Sequence, residues 1–376
     1  MRVLVAGAGI AGLTVAHWLA RGGADVVVAE QSSRLDARGY GLNLVGQCLS
    51  VLDEMGLRDM LEAQRLPVRQ NRVLERDGTL VRQLDISEFN SPGSGLFIRR
   101  SALQKALAAA AGTSVDLRLN TPVRAIENTL DGVRARLGAS EESFSLAIGA
   151  DGIHSAVRQA VCPDAASKSL NVQYVAVTFD ARFDDTEGAY TINGPGGRAA
   201  TLTMVSDSEW TGLFWVRNSM EPVPAPHEAR DYLTRQFSAF SWIVPEIIER
   251  IDLHRSYCGE AIQIRANRWT NGRVTIVGDA AWCLSPVAAR GAAASLVGAS
   301  QLANALTADR DVDAACARFE REFRPVVERA QQVAARTIEY MLPLDEGDAA
   351  MQARYLRTMS EEAIQQAMRA QFADGL

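Results

Sequence analysis

The sequence predicts an α/β fold: a Rossmann-like nucleotide-binding domain, split by an inserted antiparallel β-sheet and followed by C-terminal helices. Three observations carry this. The chain opens with a strand, a glycine loop, a helix and a second strand. A further glycine-lined strand end stands at residues 278–279. Between them, from about 170 to 266, glycine motifs give way to strand-like segments.

Arg2 to Ala6 (RVLVA) reads as a strand entering Gly7, Gly9 and Gly12 of GAGIAG. An apolar-periodic helix follows through Leu13, Ala16, Trp18 and Leu19, and Gly22-Gly23 stops it. Asp25 to Ala29 (DVVVA) is a second strand, ending in Glu30. In such a unit the first glycine permits a tight turn and the second lets backbone approach a pyrophosphate. The third lets helix and strand pack closely. Glu30 is placed to accept hydrogen bonds from a ribose, and its charge repels a 2′-phosphate. FAD or NAD is therefore expected over NADP.

Gly39, Tyr40 and Gly41 lead into a helical stretch, QCLSVLDEMGL, ending near Gly56. SALQKALAAAA is a helix with Ser101 as its expected N-cap. Residues 114–148 carry short strands (VDLRL, VRARLG, FSLAIG), reaching Gly149-Ala-Asp151-Gly152, with Ser155 and Arg158 beyond. From 170 to 266 the segments NVQYVAVTFDARF, AATLTMV, WTGLFWVRN and EAIQIRA form the inserted sheet. Arg273 to Val277 is again a strand; Gly278-Asp279 turns the chain, and small residues enter a helix at Gly291. Asp279 can accept from a sugar-like hydroxyl, and the following helix N-terminus can hold an anion. Amphipathic helices are expected over about 311–341 and 347–373, broken at Pro343, with Ser360 and two glutamates at a helix start.

The totals narrow the function. The 376 residues are 47% apolar, enough for one complex domain or two intimate ones. The net charge of −6 without a basic block argues against nucleic acid. Lys105 and Lys168 are the only lysines, which leaves little scope for Schiff-base chemistry. Cys48, Cys162, Cys258, Cys283 and Cys316 have no metal-ligand spacing, so reduced thiols, no metal and a cytoplasmic location are expected. The apolar opening is interrupted by glycines and His17 and leads straight into another strand, so no membrane span is expected. His154, His227 and His254 are isolated, and no nucleophile–base arrangement stands out.

GAGIAG with Glu30, GADGIHSAVR, and WTNGRVTIVGDAA followed by Pro286 resemble the group A flavoprotein monooxygenases, the para-hydroxybenzoate hydroxylase-like superfamily. The resemblance covers about residues 1–60, 95–160 and 265–330. It implies a GR2-type FAD-binding domain built from 1–70, 95–169 and 266–330. A substrate-binding β-sheet domain would comprise 71–94 and 170–265, with C-terminal helices over 331–376. By the same resemblance, Gly7, Gly9 and Gly12 face the FAD pyrophosphate and Glu30 the adenosine ribose, with Gln31 and Gly41 in the same cofactor site. Arg100, or the adjacent Arg99, approaches the ribityl and phosphate portion. Asp151 lies by the pyrophosphate and is linked to NAD(P)H use, and Asp279 bonds the ribityl chain. Pro286 and the backbone of Gly291, Ala292 and Ala293 lie at the flavin.

The implied reaction is reduction of FAD by transiently bound NAD(P)H, addition of O₂ as a C4a-hydroperoxide, and oxygen transfer. The acceptor would be an aromatic or polyketide-like small molecule of specialised metabolism, hydroxylated or epoxidised by a monomer or homodimer. Several positions depart from the pattern. Trp282 replaces a common histidine, Ala288-Ala289 a glycine pair, Ala293 an asparagine or threonine, and Gly298 a common aspartate; Gln31 stands where an arginine often follows the acid. Ala288 and Ala289 are expected to exclude glycine-only φ angles, forcing a different loop at the flavin. Trp282 is either a stacking surface for substrate beside the flavin or a packing aromatic. Trp215, with Trp210 and Phe214, lines a substrate pocket or belongs to the core. The altered loop keeps two other readings open: a redox-neutral cyclase holding FAD structurally, or a non-catalytic ligand-sequestering relative.

Overall fold

A computed structural model describes residues 1–35, 40–183, 188–309, 311–371 and 376; Gly39 lies outside the described residues. The first stretch holds β1 (Arg2–Ala6), α1 (Ile10–Arg21), β2 (Asp25–Ala29), β3 (Gly41–Val45), α2 (Gln47–Glu54) and α3 (Arg58–Glu62). Next come β4 (Gln70–Glu75), β5 (Leu80–Asp85), β6 (Gly95–Arg99), α4 (Arg100–Ala111), β7 (Val115–Arg118) and β8 (Val123–Thr129). The strands β9 (Gly132–Leu137), β10 (Ser140–Phe144) and β11 (Leu146–Gly149) precede α5 (Val157–Val161). The middle of the chain is β12 (Ala166–Asp180), β13 (Gly188–Gly194), β14 (Arg198–Met204), β15 (Glu209–Arg217), α6 (Ala229–Gln236), α7 (Val244–Arg250) and β16 (Tyr257–Arg265). Last are β17 (Thr270–Asn271), β18 (Val274–Ile276), α8 (Asp279–Trp282), α9 (Gly291–Ala308), α10 (Val312–Met341), α11 (Glu346–Thr358) and α12 (Glu361–Gln371).

Two sheets organise the molecule. The first is six-stranded, in the order β17-β18-β11-β1-β2-β7. Every pairing in it is parallel except that of the edge strand β17 with β18. Its central strands are near-continuous apolar runs because both faces are covered: Val3, Leu4, Val5, Val27, Val28 and Ile148 are all buried. The cover is made by helices and by a three-stranded antiparallel sheet, β10-β9-β8, whose Val133, Ala135 and Phe144 join the same core. The helix α1 packs on α4 and α9, so the first glycine loop and the late small-residue helix share one layer.

The second sheet is seven-stranded, in the order β16-β12-β15-β14-β13-β4-β5. It is antiparallel except for β13 against β4. Side chains alternate across it. Trp210, Phe214 and Val216 of β15 pack under α6 and α7 with Tyr232, Leu233 and Ile247. Trp215 and Leu213 face the other way, with Tyr174, Val287, Ile338 and Leu342. The long helix α10 thus packs on α9 at one end and reaches the second sheet at the other. Among the described residues no helix is long and apolar enough to cross a membrane.

Four expectations change. Ser101 is not the cap of α4: the helix begins at Arg100, with Arg99 at the N-cap position and no side-chain cap. The ladder of β6 with β3 holds Arg99 extended, and the helix starts where that ladder ends. Asp279 is not a turn residue but the first residue of α8. The 347–373 segment, described to residue 371, is two helices rather than one; Ser360 stands at the start of the second, as expected, and its hydroxyl accepts from Ala363 N–H at 3.2 Å. Between the β15 and β16 strands the chain forms α6 and α7, whose short apolar faces alone do not announce a helix.

Candidate functional site

The glycine loop after β1 is shaped by contact with the chain around it. Gly7 has φ +98°, and a Cβ there would stand 2.5 Å from the Ala150 carbonyl oxygen. A Cβ on Gly12 would run into the Gly7 carbonyl. Gly9 has no atom within 4 Å of where its Cβ would point. Gly9 is also the N-cap of α1 and supplies no side-chain cap, so the first N–H groups of a 12-residue helix open onto that space. Glu30 fastens the loop: its Oε2 accepts from Ala8 N–H at 2.8 Å and its Oε1 from Ser32 N–H at 2.8 Å. Gln31 beside it is exposed.

The second strand end meets the first. Gly278, at φ +68°, packs so tightly on α1 that a Cβ would lie 2.7 Å from Ala11 Cβ. This sets Asp279 beside the α1 N-terminus. Asp279 is reached by solvent yet stands deep among protein atoms, the signature of a cleft wall. Burial raises its carboxyl above the ordinary value, and Arg100 pulls it back. The same Arg100 acts on Tyr40, whose hydroxyl burial pushes up to about 12. Arg100, Tyr40 and Asp279 therefore share one electrostatic neighbourhood. Arg99 is engaged elsewhere, in an ion pair with Glu209, which also pairs with Arg255. Arg100 stands by Asp279, while Arg99 ties the two-stranded β3-β6 ribbon to the start of β15.

Asp151 comes close to Gly7, but its carboxylate is occupied locally. One oxygen accepts from the Ser155 hydroxyl at 2.5 Å, the other from Ala156 N–H at 2.8 Å and Val157 N–H at 3.2 Å. Arg158 then links this turn to the second strand end by donating to Ala280 carbonyl at 3.0 Å. The 18-residue helix α9 starts at Gly291, where a Cβ would meet nothing within 4 Å. It has no side-chain cap, and its first intrahelical bond is Ala294 N–H to Arg290 carbonyl at 2.9 Å. The N–H groups of Gly291, Ala292 and Ala293 precede that bond.

The loop before α9 overturns one expectation. Ala289 adopts the left-handed conformation, φ +53° and ψ +22°, and Ser285 has φ +78°. The turn between them, Pro286–Ala288, starts on a proline whose fixed φ suits that position. An alanine thus takes the angle a glycine would take, at a cost of about 1–2 kcal/mol.

Trp282 is not a substrate surface. It is 2% exposed and sits among Trp269, Phe319 and Phe323, with ring centroids 4.6, 6.1 and 5.2 Å away. The α8 turn directs its side chain inward, toward α9 and α10. Trp215 does lie on the face turned toward the nucleotide-binding half, where it is 5% exposed and tilts against Tyr174. Gly41 gives room to the Phe97 ring, 2.7 Å from its would-be Cβ.

Two residues escaped the sequence reading. Gln104 of α4 donates to the Ala8 carbonyl at 2.9 Å, holding the glycine loop from behind. Tyr40 closes the group around Asp279. Neither carries a motif; only the fold brings them there. All five thiols are free. Burial pushes Cys48 up to about 12, and Cys258 and Cys316 up to about 11, which disfavours nucleophilic roles. Among the described residues no group of three or more His, Cys, Asp or Glu could hold a metal.

A bound dinucleotide fits these residues. Two uncapped helix N-termini, each with a glycine facing open space, flank a deep-set carboxylate. The profile of the FAD binding domain family matches residues 1–336. A "Flavin-dependent monooxygenase" of Legionella longbeachae is 25% identical over 361 residues, covering 92% of this chain and 91% of its own. The "2-heptyl-3-hydroxy-4(1H)-quinolone synthase" of Pseudomonas aeruginosa is 28% identical over 310 residues, with 81% and 80% covered. In fold, the chain is similar to Klebsiella pneumoniae HpxO complexed with FAD and uric acid, with TM-score 0.86, 23% identity, and 100% and 97% covered.

Proposed function

The chain belongs to the FAD binding domain family and is an FAD-dependent monooxygenase, and from that premise we propose that it uses NAD(P)H and O₂ to hydroxylate or epoxidise an aromatic or polyketide-like small molecule of specialised metabolism in the cytoplasm. The observation that carries the reading is the meeting of two glycine-lined strand ends at Gly278 and Ala11. It sets a deep carboxylate between two uncapped helix N-termini.

Bound FAD supplies the hydride acceptance and the O₂ activation that such a reaction needs. The protein's part is binding, orientation and exclusion of water. The α1 N-terminus, with the backbone at Gly7, Gly9 and Gly12, would hold the pyrophosphate, and Glu30 the adenosine ribose. Asp279 would accept from the ribityl chain, with Arg100 and Tyr40 alongside and Asp151 keeping its turn in shape. The N–H groups of Gly291, Ala292 and Ala293, beside Pro286, would stabilise negative charge at the pyrimidine edge of the reduced ring. The β-sheet face bearing Trp215 would close the site against water and hold the substrate.

The test is anaerobic titration of the purified protein with NADPH and NADH, then oxygen uptake with and without a panel of aromatic compounds. A yellow protein whose NAD(P)H oxidation and oxygen uptake are stimulated by a compound is the expected result. Protein that refuses FAD, or that holds it and never consumes NAD(P)H in response to any compound, would sink the reading.

A further inference from the structure

We propose that the sheet face centred on Trp215 selects an uncharged ring carrying a carbonyl next to an N–H or O–H group. This rests on the proposed monooxygenase reading and names the substrate class of the same cleft. The starting observation is an orphaned donor. The Trp215 Nε1–H is fully enclosed and has no hydrogen-bond partner. A buried indole normally finds an acceptor, because leaving the donor unsatisfied forfeits its hydration. An indole N–H can only donate, so whatever satisfies it must bring an acceptor.

Two more enclosed side-chain oxygens without partners lie on strands around that indole. Asn193 pairs with Ala199 across β13 and β14, and Ala199 pairs with Trp215 across β14 and β15. The three residues thus form one cross-strand row on one face, with only a methyl group between the indole and the amide. The outer strands of that row are ~10 Å apart, a span that suits a ring system. The Asn193 Oδ1 has no partner, and neither has the Oδ1 of Asn43 on β3. Asn43 pairs with Phe97 on β6, and Phe97 packs on the same small apolar cluster as Ala189 of β13. Asn43 therefore faces the sheet from the nucleotide-binding side.

The neighbouring row is Thr191, Thr201 and Leu213, half-buried and uncharged. Of the charges near the row, Glu75 is neutralised by Arg357, while Arg217 donates to the Leu342 carbonyl and keeps its charge. An ammonium therefore finds no counterion here and is costly to bury, while a carboxylate could turn only to Arg217, which the acid probe below tests. One obligate donor and two amides, which offer either function, complement a lactam or hydroxy-ketone edge.

The test is isothermal titration calorimetry on the FAD-loaded full chain with three bicyclic probes: 2-quinolone, 2-methoxyquinoline and quinoline-2-carboxylate. Expected is binding of 2-quinolone, at least tenfold weaker binding of the other two, and a further loss of about tenfold for 2-quinolone in Trp215→Phe, which removes one hydrogen bond and keeps a ring. Asn193→Ala, measured in parallel, should weaken 2-quinolone alone. No binding of 2-quinolone, unchanged affinity in both variants, or preference for the carboxylate would overturn the proposal. Flavin content and NAD(P)H oxidation are read separately, so failure of the monooxygenase reading is not confused with failure of this one.

Discussion

Trp282 and Gly298 share one volume: a Cβ at 298 would stand 2.7 Å from the indole Cζ2 and 2.7 Å from Phe323. The indole at 282 therefore needs the absence of a side chain at 298. Glycine inside a helix costs about 1 kcal/mol relative to alanine, and the buried indole offsets it.

Gly298→Asp alone is expected to destabilise by about 3 kcal/mol, through overpacking and a buried charge. Trp282→His alone should cost a similar amount by opening a cavity, about 3 kcal/mol. The double variant should lose less than the sum of the two, by about 1 kcal/mol or more. Urea denaturation of all four proteins measures the coupling; strict additivity would show that the two sites do not share space.

Gly278→Ala meets both a left-handed φ of +68° and the Ala11 methyl. Strain and overpacking together should cost about 2–4 kcal/mol. Because the site is where the two strand ends meet, flavin retention should fall with the melting temperature. Absorbance of the purified protein and a thermal melt read the two effects together.

Asp279→Asn separates binding from stability. Losing a charge-assisted hydrogen bond should weaken FAD retention by about tenfold to a hundredfold. The carboxyl is raised in the folded chain, so the fold binds its proton more tightly than the unfolded chain does. That contribution is complete at low pH and is lost as pH rises from the ordinary value of 3.8 through the raised one. Flavin-free Asp279→Asn should therefore match or exceed the wild type in melting temperature at neutral pH. Its advantage should shrink in acid. A lower melting temperature at pH 7 than the wild type would contradict this sign.

Ala289→Gly relieves a left-handed alanine that is itself exposed at the end of an otherwise largely buried turn. The gain from strain, about 1–2 kcal/mol, exceeds the added chain entropy of about 0.5–1 kcal/mol. A rise in stability of up to about 1 kcal/mol is expected by chemical denaturation.

How much of this was legible in the sequence varies from residue to residue. The backbone demands at Gly7 and Gly12 could be read directly, because a tight turn and a close helix–strand contact are decided largely by the local backbone. Glu30 was legible as an acceptor, but its bonds to Ala8 and Ser32 were not, since they depend on how the loop curls back. Period-two alternation marked β15 as a strand with two faces, and it did not say which face α6 and α7 would cover.

By itself, then, the chain's order of residues determined the opening β-α-β unit, the strand leading to Asp279 and the long C-terminal helices. Each follows from local backbone freedom and from the periodicity of apolar side chains. Tertiary structure alone decided that Asp279 stands beside Arg100 and Tyr40, that Trp282 packs against α9 and α10 while Trp215 takes the sheet face opposite α6 and α7, and that Ala289 is held left-handed. Those outcomes depend on which surfaces from distant parts of the chain press together. Packing at close to crystal density settles a side chain's direction and a strained torsion only when every neighbour is in place.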